Sequence, residues 1–132
     1  MDTTNENPNN VGVWFEIYVD DFERAVKFYE TVFATTLDAM PDPSDNGLRM
    51  ATFPMKMDRP NASGALVKME GVKAGGNSTI MYFDSKDCDI EQARVEEAGG
   101  KIFKSKMPIG EHGFMSLCTD TEGNMFGLHS MK

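Results

Sequence analysis

The sequence predicts a single α+β domain built from two βαβββ modules. Residues 13–33 have the pattern of a half-buried strand, a turn with two aspartates and an amphipathic helix. A second, weaker copy of this pattern begins near Ser78. Each copy is followed by three further strand-like runs, so the chain repeats one supersecondary unit. Such a repeat predicts a pseudo-symmetric molecule with its functional surface between the halves.

Length, composition and charge limit the classes of function. The chain has 132 residues, of which 40% are hydrophobic and 26% charged, as expected for one globular domain. A net charge of −8 argues against nucleic-acid binding, which needs a basic face, and no polybasic segment favours a membrane surface. The sequence contains no apolar run of membrane-spanning length and no signal-peptide pattern. We therefore expect a cytoplasmic protein whose partner is a small molecule.

Composition changes along the chain predict its domain organisation. Residues 1–10 are polar and rich in asparagine, which predicts a disordered N-terminal lead-in. The remainder, 11–132, forms one domain, with a first module over 11–70 and a second over 78–132. Residues 71–77, GVKAGGN, lack the strand-then-helix context of a phosphate-binding loop, so they are interpreted as a linker.

The first strand and helix are predicted from hydrophobic periodicity. Strand residues alternate, so one face should lie under helices and the other should line a cleft. The helix-side residues are Val13, Phe15, Ile17 and Val19, and the cleft-side residues are Trp14, Glu16 and Tyr18. Asp20 is the expected N-cap of the helix, with Glu23 completing a capping box, and the apolar stripe continues to Phe33.

The other elements are predicted from apolar runs and turn residues. Asp89 and Gln92 suggest a second capping box, Ile90 and Ala93 belong to its apolar stripe, and Gly99-Gly100 should stop that helix. A proline-rich turn occupies 41–47, and Gly123 is expected in a left-handed turn. The predicted strands are 35–40, 49–53, 64–69, 78–83, 101–106, 113–119 and 124–129.

Four motifs in this order resemble those of the vicinal oxygen chelate superfamily, which contains glyoxalase I, the bleomycin-resistance proteins and the extradiol dioxygenases. They are VDDFERAVKFYETVF, GALVK, VEEAGGKI and DTEGN, and the resemblance covers nearly everything from Val13 to Met131. It implies two βαβββ units whose strands form a curved mixed sheet around an open cavity. It further implies that metal-dependent members hold a divalent ion on two residues from each half, and that homodimers are common, so we expect a homodimer.

The positions at which the resemblance places metal ligands carry unsuitable residues in this chain. They are Trp14 in the first strand, Ser78 in the matching strand of the second half, Val67 or Lys68 in GALVK, and Gly127 in the last strand. None of these is a natural ligand of a divalent ion. The resemblance therefore implies that the usual metal site is absent, and we expect no cofactor.

An alternative metal site uses other residues. Glu16, His112 and His129 form a legitimate set for zinc, nickel, iron or manganese if the strands pair as in the family. Glu16 is also the best candidate for a catalytic group. The interpretation without a metal site is a single glutamate in a polar cleft and two solvent-facing histidines.

The favoured hypothesis is a metal-independent small-molecule-binding protein of the bleomycin-resistance type. Aromatic rings in the cleft can stack a planar ligand, or can cap its open end, and a cleft carboxylate suits a cationic group. The expected binding residues are Trp14, Glu16, Tyr18, Ser78, Tyr82 and His129. Two alternatives stay open: a glyoxalase-like lyase or dioxygenase that uses the relocated metal, and an interaction module whose cleft is filled by its own side chains or a partner subunit.

Overall fold

A computed structural model describes residues 7–40 and 47–132 of the chain. This part contains two βαβββ modules, which confirms the predicted α+β class and order of elements. The first module comprises β1 (Phe15–Tyr18), α1 (Phe22–Phe33), β2 (Asp38–Met40), β3 (Arg49–Thr52) and β4 (Gly64–Lys68). The second comprises β5 (Met81–Asp84), α2 (Cys88–Val95), β6 (Lys101–Pro108), β7 (Phe114–Thr119) and β8 (Met125–Ser130), with a short 3-10 helix at Gly110–His112.

The two modules have the same strand topology. The sheet orders are β1-β4-β3-β2 and β5-β8-β7-β6, and in each module the first and last strands are parallel while the other pairs are antiparallel. Glu16 lies beside Ala65 in the first module, and Tyr82 lies beside Gly127 in the second. Glu16 and Tyr82 each lie five residues before the N-cap of the following helix, so they are equivalent positions.

Helix α1 begins one residue later than predicted. Its N-cap is Asp21, whose side chain accepts a hydrogen bond from the Arg24 amide at 3.1 Å, so the assignment of Asp20 was wrong. Asp20 instead accepts from the amide of Ala74 at 3.1 Å. Two adjacent aspartates are equally good caps by propensity, and contacts with distant residues decide between them.

Helix α2 also differs from prediction at its start. Asp87, and not Asp89, is the N-cap, because its side chain accepts from the Asp89 amide at 3.0 Å. The buried helical residues are Cys88 and Val95, whereas Ile90 of the predicted stripe is exposed. The predicted stop is confirmed, since Gly99 has φ +104° and the chain turns there.

Several strands are shorter than predicted. Val13 is 77% exposed and precedes β1, so it does not lie under a helix. Ser78 lies in the loop before β5, and β2 begins only at Asp38. Most of the predicted turn at 41–47 lies outside the described residues. Of the predicted lead-in, residues 7–10 are exposed, and residues 1–6 also lie outside the description.

One hydrophobic core joins the two modules. Tyr29 of α1 is fully buried, and its ring lies 5.9 Å from Phe53 of the first module and 5.8 Å from Phe126 of the second. Helix α1 also packs against α2. The modules therefore stabilise each other through α1. Neither α1 nor α2 is long and apolar enough to cross a membrane, and the described residues contain no other α-helix.

Candidate functional site

Two cavities lie between the modules, at opposite ends of the seam between β1 and β5. The large cavity, of about 990 Å³, is lined by residues 12–15, by 53–63 before β4 and by β5. The small cavity, of about 330 Å³, is lined by β1, by parts of 72–81 and by the start of β8. Phe15 and Met81 line both cavities, so the two are neighbours, and the Phe15 ring lies 5.6 Å from the Phe83 ring of the large cavity.

The structure divides the six predicted binding residues between these cavities. Trp14, Tyr82 and His129 line the large cavity. Glu16 and Tyr18 line the small one. Ser78 is exposed and is not among the lining residues of either cavity. The residues predicted to share one cleft thus belong to two neighbouring sites.

Glu16 connects the walls of the two cavities. The strand alternation places Trp14, Glu16 and Tyr18 on one face, as predicted, and the three side chains are hydrogen-bonded. Trp14 Nε1 donates to Glu16 Oε2 at 3.2 Å, and the Tyr18 hydroxyl donates to Glu16 Oε1 at 2.9 Å. The bond to the carboxylate raises the pKa of Tyr18, with smaller contributions from burial and from the negative charge. Glu16 therefore fixes the orientation of both aromatic rings.

Tyr82 is positioned by a glycine on the neighbouring strand. A Cβ atom on Gly127 would lie 2.4 Å from the Tyr82 ring, so the ring lies directly against the Gly127 backbone. Tyr82 nonetheless stays 42% exposed toward the large cavity. The sequence contains a signal for this contact, because a glycine inside a strand often marks the close approach of another group.

His129 and Asp84 are neighbours in the register of β5 and β8 and both line the large cavity. His129 Nε2 lies 2.6 Å from the carbonyl oxygen of His112. A carbonyl only accepts, so Nε2 is the protonated nitrogen in this contact. In the neutral imidazole, Nδ1 is then an acceptor for a ligand hydroxyl or N–H group.

The remaining wall of the large cavity is mainly aromatic and sulfur-containing. Phe33 and Phe83 lie 4.6 Å apart between ring centroids, and Phe15 and Phe53 lie 5.7 Å apart. Polar groups come chiefly from Lys56 and Arg59 of the loop before β4 and from the strand residues named above. The methionines that line the cavity are Met55, Met57 and Met81.

A turn of the second module closes the other end of the seam. Glu122 Oε1 accepts from the amides of Asp20 and Asp21 at 3.0 and 2.8 Å, and Oε2 accepts from Arg24 Nε at 2.7 Å. Burial alone would raise the pKa of Glu122, but these donors, with the Thr121 hydroxyl, outweigh it and lower the pKa to about 2. Sequence reasoning identified this turn, with Gly123 at φ +81° as predicted, but not its contact with α1.

Asp120 and Asn124 complete this closure. The Tyr29 hydroxyl donates to Asp120 Oδ2 at 2.7 Å in a buried contact. Burial raises the pKa of Asp120, although four hydrogen-bond donors oppose the effect, and burial beside this carboxyl also raises the pKa of Tyr29. Asn124 Nδ2 donates to the Tyr18 carbonyl at 2.9 Å, and Asn124 Oδ1 accepts from the Gly75 amide at 2.6 Å.

The residues at the metal-ligand positions do not fit a divalent ion. Trp14 is hydrogen-bonded to Glu16, and Val67 is an apolar side chain. At Gly127 the Tyr82 ring occupies the space that a longer side chain would need. The N-caps show that Ile80, rather than Ser78, is the equivalent of Trp14, because each lies seven residues before its cap. Isoleucine offers no ligand atom either.

The alternative metal set is not assembled. Within 7–40 and 47–132, no group of three His, Cys, Asp or Glu side chains is placed to hold a metal ion. Glu16 is bonded to two aromatic side chains, and the His112 side chain is 77% exposed. The absence of a cofactor stays a prediction, as does the homodimer.

Comparison with known proteins establishes the family. The model of the Glyoxalase/Bleomycin resistance protein/Dioxygenase superfamily matches residues 13–128. The chain belongs to this superfamily. Among curated relatives, CFP32 of Mycobacterium tuberculosis is 30% identical over 118 residues, which cover 87% of this chain and 43% of CFP32. The chain thus spans less than half the length of that superfamily relative.

Solved structures of the superfamily share the fold. Glyoxalase I from Zea mays superposes with a TM-score of 0.70 at 21% identity, covering 89% of this chain and 45% of that one. TnmS3, described as an antibiotic binding protein from Streptomyces sp. CB03234, superposes with a TM-score of 0.65 at 22% identity, covering 95% of this chain and 98% of TnmS3. The superfamily fold is therefore found both in an enzyme and in a binding protein.

Proposed function

We propose that the protein binds a planar, partly aromatic small molecule in the large cavity and that binding needs no metal. The observation that carries this proposal is the combination of volume and lining. A cavity of about 990 Å³ accommodates a drug-sized molecule, for which pockets typically measure about 300–1,000 Å³. Aromatic and methionine side chains provide its apolar surface, and several polar or charged side chains, among them Lys56, Arg59, Asn61, Asp84 and His129, are available to orient a ligand.

Two exposed rings provide the stacking surfaces. Trp14, directly before β1, and Tyr82, on β5, are large aromatic residues, yet each is 42% exposed. Both are held in place, Trp14 by Glu16 and Tyr82 by its contact with Gly127. Rings that are already fixed lose little conformational entropy when a ligand stacks on them. Met55 and Met57 can adapt their side chains to the ligand's outline.

The polar groups of the cavity would orient the ligand. His129 Nδ1 offers an acceptor, Asp84 a carboxylate, and Lys56 and Arg59 positive charges from the opposite loop. Because both signs of charge line the cavity, the walls favour an aromatic body more than a particular net charge. The description of TnmS3 as an antibiotic binding protein supports the class of ligand.

Calorimetric titration with planar probes tests the proposal. Naphthol, naphthalene sulfonate and aminoacridine present similar ring systems with neutral, negative and positive charge. We expect at least one to bind, and we expect Trp14→Ala and Tyr82→Ala each to weaken binding about two- to tenfold, the usual range for an aromatic contact. Phe103→Ala is the matched control, because Phe103 is 61% exposed on β6 and lies outside the cavity lining.

Three results would contradict this function. The first is that none of the probes binds, and the second is that Phe103→Ala weakens binding as much as the cavity variants do. The third is binding that a chelator abolishes and added zinc, nickel, iron or manganese restores, which would favour the lyase or dioxygenase alternative. A homodimer with Trp14 buried at its interface would favour the interaction module.

A further inference from the structure

The small cavity is covered on one side by the linker between the modules. The linker 71–77 passes over the end of the seam and is fixed by hydrogen bonds at several points. The Ala74 amide donates to Asp20, and the Gly75 amide donates to Asn124. Asn77 exchanges two hydrogen bonds with the backbone of Met125, at 3.2 and 3.3 Å. A linker that merely connected two modules would not need this number of specific contacts.

The interior of the small cavity is apolar. Its walls include Ile17, Val72, Ile80, Met81 and Phe126, and its volume is about 330 Å³. This volume lies at the lower end of the range for ligand pockets, and it suits a molecule with one aromatic ring or a branched aliphatic body.

One carboxylate, that of the solvent-exposed Glu16, belongs to the lining of this cavity. Glu16 lines the cavity and accepts only neutral hydrogen bonds, from the Trp14 indole and the Tyr18 hydroxyl. None of the ion pairs within residues 7–40 and 47–132 includes Glu16. Each carboxylate oxygen has a further lone pair, so Glu16 can still accept charge-assisted hydrogen bonds from a ligand.

We infer that the small cavity is a second ligand site, which takes a compact molecule with an apolar body and a primary or secondary ammonium group. The ammonium group pairs with Glu16, and the body occupies the space between Ile80, Met81 and Phe126. Lys73 also belongs to the lining, but it lies on the linker and carries the same charge as the ligand. The two proposals share Glu16, which pairs with the ammonium group here and holds Trp14 in the wall of the large cavity, so variants that alter one cavity only are needed to separate them.

Titration of the protein with 2-phenylethylamine, followed by amide chemical shifts and calorimetry, tests the inference. 2-Phenylethanol is the neutral comparison ligand of similar shape. We expect shifts at Ile80, Met81 and Met125 with both ligands. Glu16→Gln should weaken binding of the amine about two- to fivefold, the range expected when an ion pair at an exposed carboxylate is lost, and should leave the alcohol almost unchanged.

Three further variants separate this site from others. Lys73→Met should leave amine binding unchanged or strengthen it, because it removes a like charge. Ile80→Trp should fill the cavity and abolish binding of both ligands, with the folded state verified by its amide spectrum. Tyr82→Ala, which alters the large cavity, should leave both affinities unchanged.

The inference is overturned by any of the following results. The first is that the amine causes no shifts at the small cavity, and the second is that Glu16→Gln weakens the amine and the alcohol equally. The third is that Tyr82→Ala reduces amine binding as strongly as Glu16→Gln does. The last result would assign the amine to the large cavity. None of these outcomes bears on whether planar probes bind the large cavity, so the two proposals can fail separately.

Discussion

The loop before the last strand differs sharply between the two modules. In the second module, residues 120–124 form a tight turn in which Asp120, Glu122 and Asn124 are all less than 9% exposed. In the first module, residues 54–62 occupy the corresponding place before β4, and every one of them is exposed. At the end of the seam with the buried turn the cavity measures about 330 Å³, and at the end with the exposed loop it measures about 990 Å³. The two modules thus repeat one topology, and the loop before the last strand gives them cavities of different size.

The helix starts show the same difference. The chain at the start of α1 is held from the other module, because Glu122 accepts from the amides of Asp20 and Asp21. The start of α2 is held by its own module, since the Asp87 amide donates to Ser85 Oγ and the Cys88 amide donates to Ser130 Oγ, both at 3.1 Å. The loop before β4 is therefore not needed to cap a helix and is free to serve a ligand.

The largest effect is expected when the buried turn loses its carboxylate. Glu122→Ala removes the acceptor of two backbone amides and of Arg24. Because these groups would lose a buried, charge-assisted partner, we expect the free energy of unfolding to fall by roughly 2–4 kcal/mol. Urea denaturation measures it. Met57→Ala is the comparison in the other loop: Met57 is 93% exposed, so a change of about 0.5 kcal/mol or less is expected. Equal effects of the two variants would refute the contrast.

A smaller effect is expected in the acid sensitivity of folding. Glu122 has a pKa of about 2 in the folded protein against an ordinary value of 4.5, so its stabilisation is present above pH 4.5 and is lost as the pH falls toward 2. Asp120 acts in the opposite direction, because burial raises its pKa and its protonation favours the folded state. Glu122→Gln should therefore lose less stability between pH 4.5 and 3 than the unsubstituted protein does. An unchanged pH profile of denaturation midpoints would show that Glu122 does not carry this sensitivity.

The smallest effect concerns the equivalent strand positions Ala65 and Gly127. Alanine fits beside Glu16 in the first module, but at Gly127 its Cβ would meet the Tyr82 ring at 2.4 Å. We expect Gly127→Ala to cost about 1 kcal/mol of unfolding free energy, because the ring must turn away. In a Tyr82→Ala background the same substitution should cost nearly nothing. A double-mutant cycle measures the coupling, and additive effects would contradict the proposed contact.

Much of the fold could be predicted because it depends on local pattern. Alternation along β1 placed Trp14, Glu16 and Tyr18 on one face, and the glycines ended α2 where expected. The cap residues were misassigned in both helices. Two nearby aspartates have the same intrinsic preference for an N-cap, so the sequence alone does not choose between them. The choice between Asp20 and Asp21 depends on their amides, which bind Glu122 about a hundred residues away in the chain.

The site was predicted less completely, for a related reason. The pattern shows which residues share a face, but it does not show that the seam contains two cavities or that the linker covers one of them. Trp14, Tyr82 and Glu16 were predicted to line a cleft and do line cavities, whereas Lys56 and Arg59 in the lining of the large cavity were not predicted, because their loop has no periodic pattern. A glycine inside a strand could have predicted that some group packs against Gly127. The sequence did not show that this group is the Tyr82 ring.

Trp14 is the only tryptophan in the chain and lines the large cavity, so the intrinsic fluorescence of the protein reports on that cavity. Selective excitation of this indole reports on one site without any label, and stacking of a ligand on the ring changes its emission. The hydrogen bond from Nε1 to Glu16 extends that report to the neighbouring compartment, because any group that competes for the carboxylate alters the indole's environment. A change in Trp14 emission is therefore expected when a ligand occupies either compartment.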